Sequence, residues 1–369
     1  MGLSERPVRK LVRRGMAERY FLIVLVFVAA SVSLTRLFLE VSGYPQLGGG
    51  ELHIAHVLWG GLFLLVGALL PLVYANRVIL DWSAAATGIG FGLFIDEVGK
   101  FITQSNDYFF PAAAPIVYII FLILLWIYLL LRTKPREDAR TVLYDTLGLI
   151  GEYLDKDLSQ LEQEWLRGRI SLARTLDARG EYDELLDALE AFIDDETIPL
   201  VKHRTDFFGR CMQAFRRIEE KNLPPEKHKR SLMIGLFVWG CVAIIYPILS
   251  LTFSMDGVDL PGLWAELINT ELPLLSESSL LLVLRLVGEI AVGVLLLTAS
   301  LLLRIGKEEQ GIQIAFATLM VSISGIYVLV FYYDQFSAIV YVLFQFLLLG
   351  LVARFRARCE QKGKNILKV

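Results

Sequence analysis

At 369 residues the chain could form two ordinary domains, yet 55% of it is hydrophobic, only 20% is charged, and its mean hydropathy is +0.55. The 36 basic and 39 acidic residues leave a formal net charge of -3, without the basic excess of a nucleic-acid-binding chain, so no nucleic-acid partner is expected. The sequence contains no Walker motif, nucleophile elbow or haem-attachment motif, which excludes ATP-driven work and serine-hydrolase chemistry of the familiar kinds.

The basic stretch "RPVRKLVRR" precedes a first apolar run, Tyr20 to Val41. That run is too long for the core of a signal peptide and lacks a small-x-small cleavage site before Arg36 and Glu40, so it reads as a retained span. Runs of about 20 apolar residues are long enough to cross a hydrocarbon core about 30 Å thick. Eight such segments are predicted, at 20–41, 51–75, 79–103, 111–132, 231–254, 277–304, 311–332 and 336–354. The fold class expected is all-α: a polytopic membrane protein with about eight transmembrane helices and a cytoplasmic helical insert.

Lysine and arginine give the orientation. The N-terminal tail, the Asn76–Asp81 turn, the insert after Arg132, "RIGKEEQ" and the C-terminal tail all carry basic residues. The alternate loops, "SGYPQLGGGE", "QSNDYFFP", "SMDGVDLPGLWAELINTELPLLSE" and "YYDQF", carry none. Both termini are therefore expected in the cytoplasm, and the chain in the plasma (inner) membrane with the lipid bilayer as its first partner. The domain order is a basic tail (1–19), four spans (20–132), the insert (133–230), four further spans (231–354) and a second basic tail (355–369). Cys211, Cys241 and Cys359 have no paired-ligand spacing, and their compartments argue against a disulfide.

The insert has helical periodicity throughout, punctuated by Gly180 and the Pro224–Pro225 pair, and predicts a bundle of three or four helices. "ARGEYDELLDALEAFI" resembles the turn and second helix of a tetratricopeptide repeat, with Gly180 and Tyr182 in matching places. A solenoid needs about three such units and one is present, so an amphipathic hairpin is the simpler expectation. The insert's size suits a cytoplasmic protein partner, and the chain is also compatible with a homo-oligomer.

Four spans carry residues that an apolar helix should not. Arg36 and Glu40 end the first; His53 and His56 open the second; Asp96, Glu97 and Lys100 interrupt the third; Arg285 and Glu289 lie in the sixth. Each such charge costs roughly 3 kcal/mol on insertion scales, so intramembrane ionisable residues are functional candidates by default. At a 1.5 Å rise per residue, Arg36, His56 and Asp96 fall roughly 7–11 Å below the outer boundary, Arg285 near 12 Å and Glu289 near 18 Å. That agreement predicts one shared polar pocket.

Ala84, Gly88, Gly92, Asp96 and Lys100 recur every four residues, a small-residue stripe that ends in charge. The stripe predicts that the second and third spans pack face to face, with the histidines against Asp96 and with Asn106 and Asp107 as a roof. Local unwinding at Gly88–Gly92 is a further option, because broken helices line transporter sites.

His53, His56 and Asp96 could hold one divalent metal (zinc, iron or manganese), with Asp96 and Glu97 as catalytic carboxylates. Arg36, Lys100, Asn106, Asp107, Arg285 and Glu289 would then bind substrate or relay charge. The bland alternative is that Asp96–Lys100 and Arg285–Glu289 are i,i+4 pairs that neutralise one another and lock helices, which leaves Glu97 and Arg36 unmatched. A membrane-embedded metal-dependent hydrolase acting on a lipid or small polar substrate is the first functional expectation. An ion- or proton-coupled transporter using the same charges is the second, and a sensor signalling through the insert the third. The membrane-embedded ceramidase-like zinc hydrolases share the pocket idea, but this chain lacks their late-span H-x-x-x-H pair.

Overall fold

The computed structural model describes residues 11–43, 55–104, 110–133, 137–154, 158–194, 201, 209–211, 213–214, 217, 224–256 and 279–366. Their named elements are all helical, and the bridge between Ser159 and Val201 is isolated. They fall into two compact units, one made of Met1–Asp96 with Ile123–Cys211 and the other of Glu97–Leu122 with Met212–Val369.

The first unit contains α1 (Ala17–Ser42), α2 (His56–Val73) and α3 (Arg77–Asp96), followed by the second half of α5 (Ala113–Arg132) and then α6 (Ala139–Leu154), α7 (Gln160–Leu176) and α8 (Asp183–Ile193). α1 ends at Gly43, whose φ of 70° lets its N–H turn back to Glu40 O, a left-handed cap that a β-carbon would strain. α3 is unbroken through Gly88–Gly92; the helix breaks later, at Glu97.

The glycines of α3 work on two faces. A β-carbon at Gly88 would sit 2.7 Å from Val24 O, and one at Gly92 would sit 2.7 Å from Ser31 Cβ, so this stripe packs on α1. Gly90 lies about 200° around the helix from Gly88 and meets α2, where Gly60 and Gly67 make the matching approach. The expectation that the Ala84–Gly88–Gly92 stripe faces the second span is thus corrected. α3 is gripped on both sides, and the stripe leads Asp96 towards α1.

α6, α7 and α8 form their own small core. Leu166, Ile170 and Ala173 of α7 pack with Leu186, Leu189 and Ile193 of α8 and with Val142, Leu143 and Leu149 of α6. Gly180, with φ of 66°, turns the chain between α7 and α8. Asp145 on α6 accepts from Gly15 N (2.9 Å) and Arg169 Nη2 (3.1 Å), which ties this bundle to the foot of α1. α7 starts at a capping box: Glu162 N donates to Ser159 Oγ at 3.4 Å, and Ser159 N donates to Glu162 Oε2 at 2.9 Å. Ser159→Ala is expected to cost about 1 kcal/mol, about fivefold in local opening. Hydrogen exchange of the first-turn amides of α7 in the intact protein would read that increase, and unchanged protection would show that the cap contributes nothing.

The second unit contains α4 (Val98–Ile102), the first half of α5, α9 (Pro225–Asp256), α10 (Ser279–Ile305) and α11 (Glu308–Val321). A π-turn (Ser322–Ile326), α12 (Tyr327–Asp334), a 3-10 turn (Gln335–Ser337) and α13 (Ala338–Ile366) complete it. Pro225 occupies the first turn of α9, where its missing N–H has no helical partner to lose. Leu232 and Leu236 of α9, Leu296 and Leu303 of α10, Leu319 of α11 and Leu348 of α13 are fully buried in one core. Leu280, Leu284, Val287, Val294 and Leu301 of α10 are exposed. A helix apolar on its outer face as well as its inner one suits a lipid surround rather than water.

Seven helical runs are long and apolar enough to cross a membrane, against eight segments expected. The difference lies in Glu308–Cys359, counted as a single run of 52 residues. It is not straight, because the Arg356 guanidinium lies over the Phe316 ring at 5.8 Å, whereas 40 residues of straight helix would separate them by about 60 Å. The reversal comes at Gln335, at φ 54°, outside the helical region. This run therefore contains the seventh and eighth expected segments folded against each other.

Candidate functional site

Each unit contains a buried group of charged side chains. In the first unit Arg36, brought in by α1, is 6% exposed, and its Nε donates to Asp96 Oδ1 at 2.6 Å. Its Nη2 donates to the backbone carbonyl of Asp96 at 2.9 Å. Asp96 is the last residue of α3, so its carbonyl is one of the acceptors a helix leaves unpaired, and a guanidinium also complements the negative end of the helix dipole. Arg36 thus neutralises the Asp96 carboxylate and caps α3 in one contact. His56, the first residue of α2, places Nε2 3.1 Å from Asp96 Oδ2. Asp96 itself is fully buried, with each carboxylate oxygen bonded to a different helix.

Arg36, His56 and Asp96, predicted from three separate spans, therefore meet in the first unit. Their pairing differs from the i,i+4 pattern of the sequence. Asp96 bonds Arg36, while Lys100 Nζ stands 3.5 Å from Glu97 Oε1, three residues away. The surplus that left Arg36 and Glu97 unmatched is resolved by these two ion pairs. Glu97 is 1% exposed and belongs with Lys100 to the second unit. His53, Asn106 and Asp107 lie outside the described residues. Among the described residues no group of three His, Cys, Asp or Glu side chains could hold a metal ion. A metal site at Asp96 would have to displace a guanidinium and would depend on His53.

In the second unit Arg285 and Glu289 find a partner that the sequence reading missed. Arg285 Nη2 donates to Asp334 Oδ2 at 2.5 Å, while its Nε is 3.7 Å from Glu289 Oε1, too far for a hydrogen bond. Tyr246 of α9 lines the same cavity as Asp334. Arg285 thus hydrogen-bonds Asp334 and stands at ion-pair distance from Glu289, the i,i+4 pair suggested by the sequence; Glu289 is 7% exposed, and its Oε2 has no hydrogen-bond partner among the described residues. Asp334 falls in "VFYYDQF", read from sequence as an interfacial aromatic loop. The available signal was an acid standing alone in an aromatic run between two apolar segments.

Glu289 and Asp334 line a cavity of about 30 Å³ between α9, α10, the π-turn, α12 and α13. A space of 10–15 Å³ holds about one water, so this one has room for about two. Its wall also presents Ser322 Oγ, Trp239 Nε1 and both amide atoms of Gln345, all buried without hydrogen-bond partners among the described residues. Two local irregularities shape the wall. Pro247, inside α9, supplies no N–H to the carbonyl of Ala243, and both residues line the cavity. The π-turn at Ser322–Ile326 interrupts the ordinary helical ladder, and Tyr118 of α5 donates to its Ile323 carbonyl at 2.6 Å. Both features release backbone from helical pairing, which an apolar helix tolerates only against a polar occupant or a compensating side chain.

The chain shows no match to a family model, a curated protein or a solved structure. What defines its class is the all-helical architecture with seven runs long and apolar enough to span a membrane.

Proposed function

We propose that the chain is a multi-pass membrane protein, with eight crossings and both termini in the cytoplasm, that binds and moves a small cation through the acid pair of its second unit. The observation that carries this reading is the charge count at the cavity. Glu289 and Asp334 bring two carboxylates, Arg285 balances one of them, and the remaining charge falls on Glu289. An uncompensated carboxylate in an apolar interior costs several kcal/mol, so the site favours a proton or another positive occupant. The cavity has room for a water-sized species and none for a lipid headgroup, which favours cation handling over hydrolysis. The orientation rests on the lysine and arginine distribution, which places basic residues in alternate loops.

Arg36, Asp96 and His56 support a different role. Their charges cancel, both oxygens of the carboxylate are committed, and their bonds join three helices. We assign them to holding the first unit together.

Reconstituted into liposomes, the wild-type protein is expected to relax an imposed gradient of at least one of H⁺, Na⁺, K⁺ or methylammonium. Glu289→Gln, which keeps the side-chain shape and removes the charge, should lower that flux at least tenfold. Equal flux in wild type and variant, or no flux of any of the four, would sink the reading.

A further inference from the structure

Resting on the reading that the second unit takes a small cation, we propose that its cavity is built for an ammonium-type cation, a small primary amine or ammonium itself, rather than for a metal ion. Rings make up much of the wall. Trp239 and Tyr341 have centroids 6.1 Å apart and Tyr246 and Tyr341 5.8 Å, and Tyr327 joins them at the cavity. The face of an aromatic ring attracts a cation, and it does so most strongly where water is excluded. Val242, Val292 and Val330 also line it.

A hard metal cation asks for a shell of about six oxygens. Here Asp334 is already held by Arg285, leaving Glu289 Oε2, Ser322 Oγ and Gln345 Oε1 as the buried side-chain oxygens of the wall without a hydrogen-bond partner among the described residues. Three such oxygens, one of them charged, still fall well short of the shell a bare metal ion needs. They suit the N–H groups of an ammonium, which needs an acidic acceptor and a hydroxyl and can leave its other side against rings. The size agrees as well: room for about two waters is the bulk of a cation with two heavy atoms, such as methylammonium. The site's one negative charge in excess matches one monovalent cation.

The test is calorimetric titration of the purified full-length protein in detergent with methylammonium chloride, beside sodium chloride and tetramethylammonium chloride at matched ionic strength. Methylammonium should bind saturably at one site, at least tenfold more tightly than sodium, and tetramethylammonium should be excluded by size. Glu289→Gln should weaken methylammonium at least tenfold, and Ser322→Ala, which deletes one oxygen and leaves the charges alone, several-fold. No saturable methylammonium heat in wild type, or sodium binding as tight, overturns the ammonium assignment. The two claims separate cleanly. If sodium or proton flux depends on Glu289 while methylammonium does not bind, the cation reading stands and the ammonium class falls; if flux is also indifferent to Glu289→Gln, both fall.

Discussion

Asp96→Ala is expected to destabilise the folded protein by about 3–5 kcal/mol, the usual cost of removing one partner from a buried ion pair. The loss has three sources. Arg36, 6% exposed on α1, keeps its charge and loses its carboxylate. His56 loses the acceptor for Nε2 at the start of α2. The small side chain also leaves a void where a fully buried residue stood. The comparison that isolates the charge is the double variant Arg36→Met/Asp96→Leu. Replacing a whole buried pair with apolar groups of similar size is often neutral or stabilising, so the double variant should recover most of the loss. Unfolding in mixed micelles, followed by far-UV circular dichroism, measures both. A loss below about 1 kcal/mol for Asp96→Ala would show that Arg36 reaches water without its partner, and the locking role assigned to this cluster would fail.

Gly90→Val should damage the same unit by a different route. A β-carbon at Gly90 would lie 2.6 Å from Leu64 N and 2.7 Å from Gly60 O, both backbone atoms of α2. Side chains can rotate away from an intruder, but a helix backbone cannot, so α2 and α3 must separate and lose the close packing their glycines allow. Overpacking of this kind costs about 1–3 kcal/mol or more. The internal control is Gly61→Ala on α2, where an added β-carbon meets nothing within 4 Å. That change should be neutral or stabilising by about 0.5–1 kcal/mol, because alanine is the better helix former. If the two substitutions shift the same unfolding midpoint equally, the α2–α3 approach is not what holds the unit.

The apolar runs, the helical insert and the positions of the misplaced charges were legible because each is a local property. A run of 20 apolar residues marks a helix whatever it packs against. Arg36, Asp96, Arg285 and Glu289 stood out because charge is costly in such runs. The second and third spans pack together and His56 meets Asp96 as expected, but through another face of α3, because periodicity reports which residues share a face and is silent on which helix that face meets. The Ala84–Gly88–Gly92 stripe was set against α2, yet it packs on α1, and Gly90, on the opposite side, makes the approach to α2.

The charges followed from that arrangement. With the stripe on α1, Asp96 comes within reach of Arg36, 60 residues away in sequence, and the i,i+4 neighbours suggested by spacing are replaced by a bond between helices. The break at Glu97 follows directly after the cap that Arg36 gives α3. Asp334 shows the same limit more sharply. A lone acid in an aromatic run marks the position but not its partner, and only the reversal at Gln335 and the packing of α10 and α12 bring it to Arg285. Sequence alone determined the helices, their apolar surfaces and the charges that had to be accommodated, because propensity and solvation act residue by residue. Tertiary structure decided which charges pair and that Glu289 shares Arg285 with Asp334 beside a small aromatic-lined cavity, because a buried charge is set by what surrounds it in space.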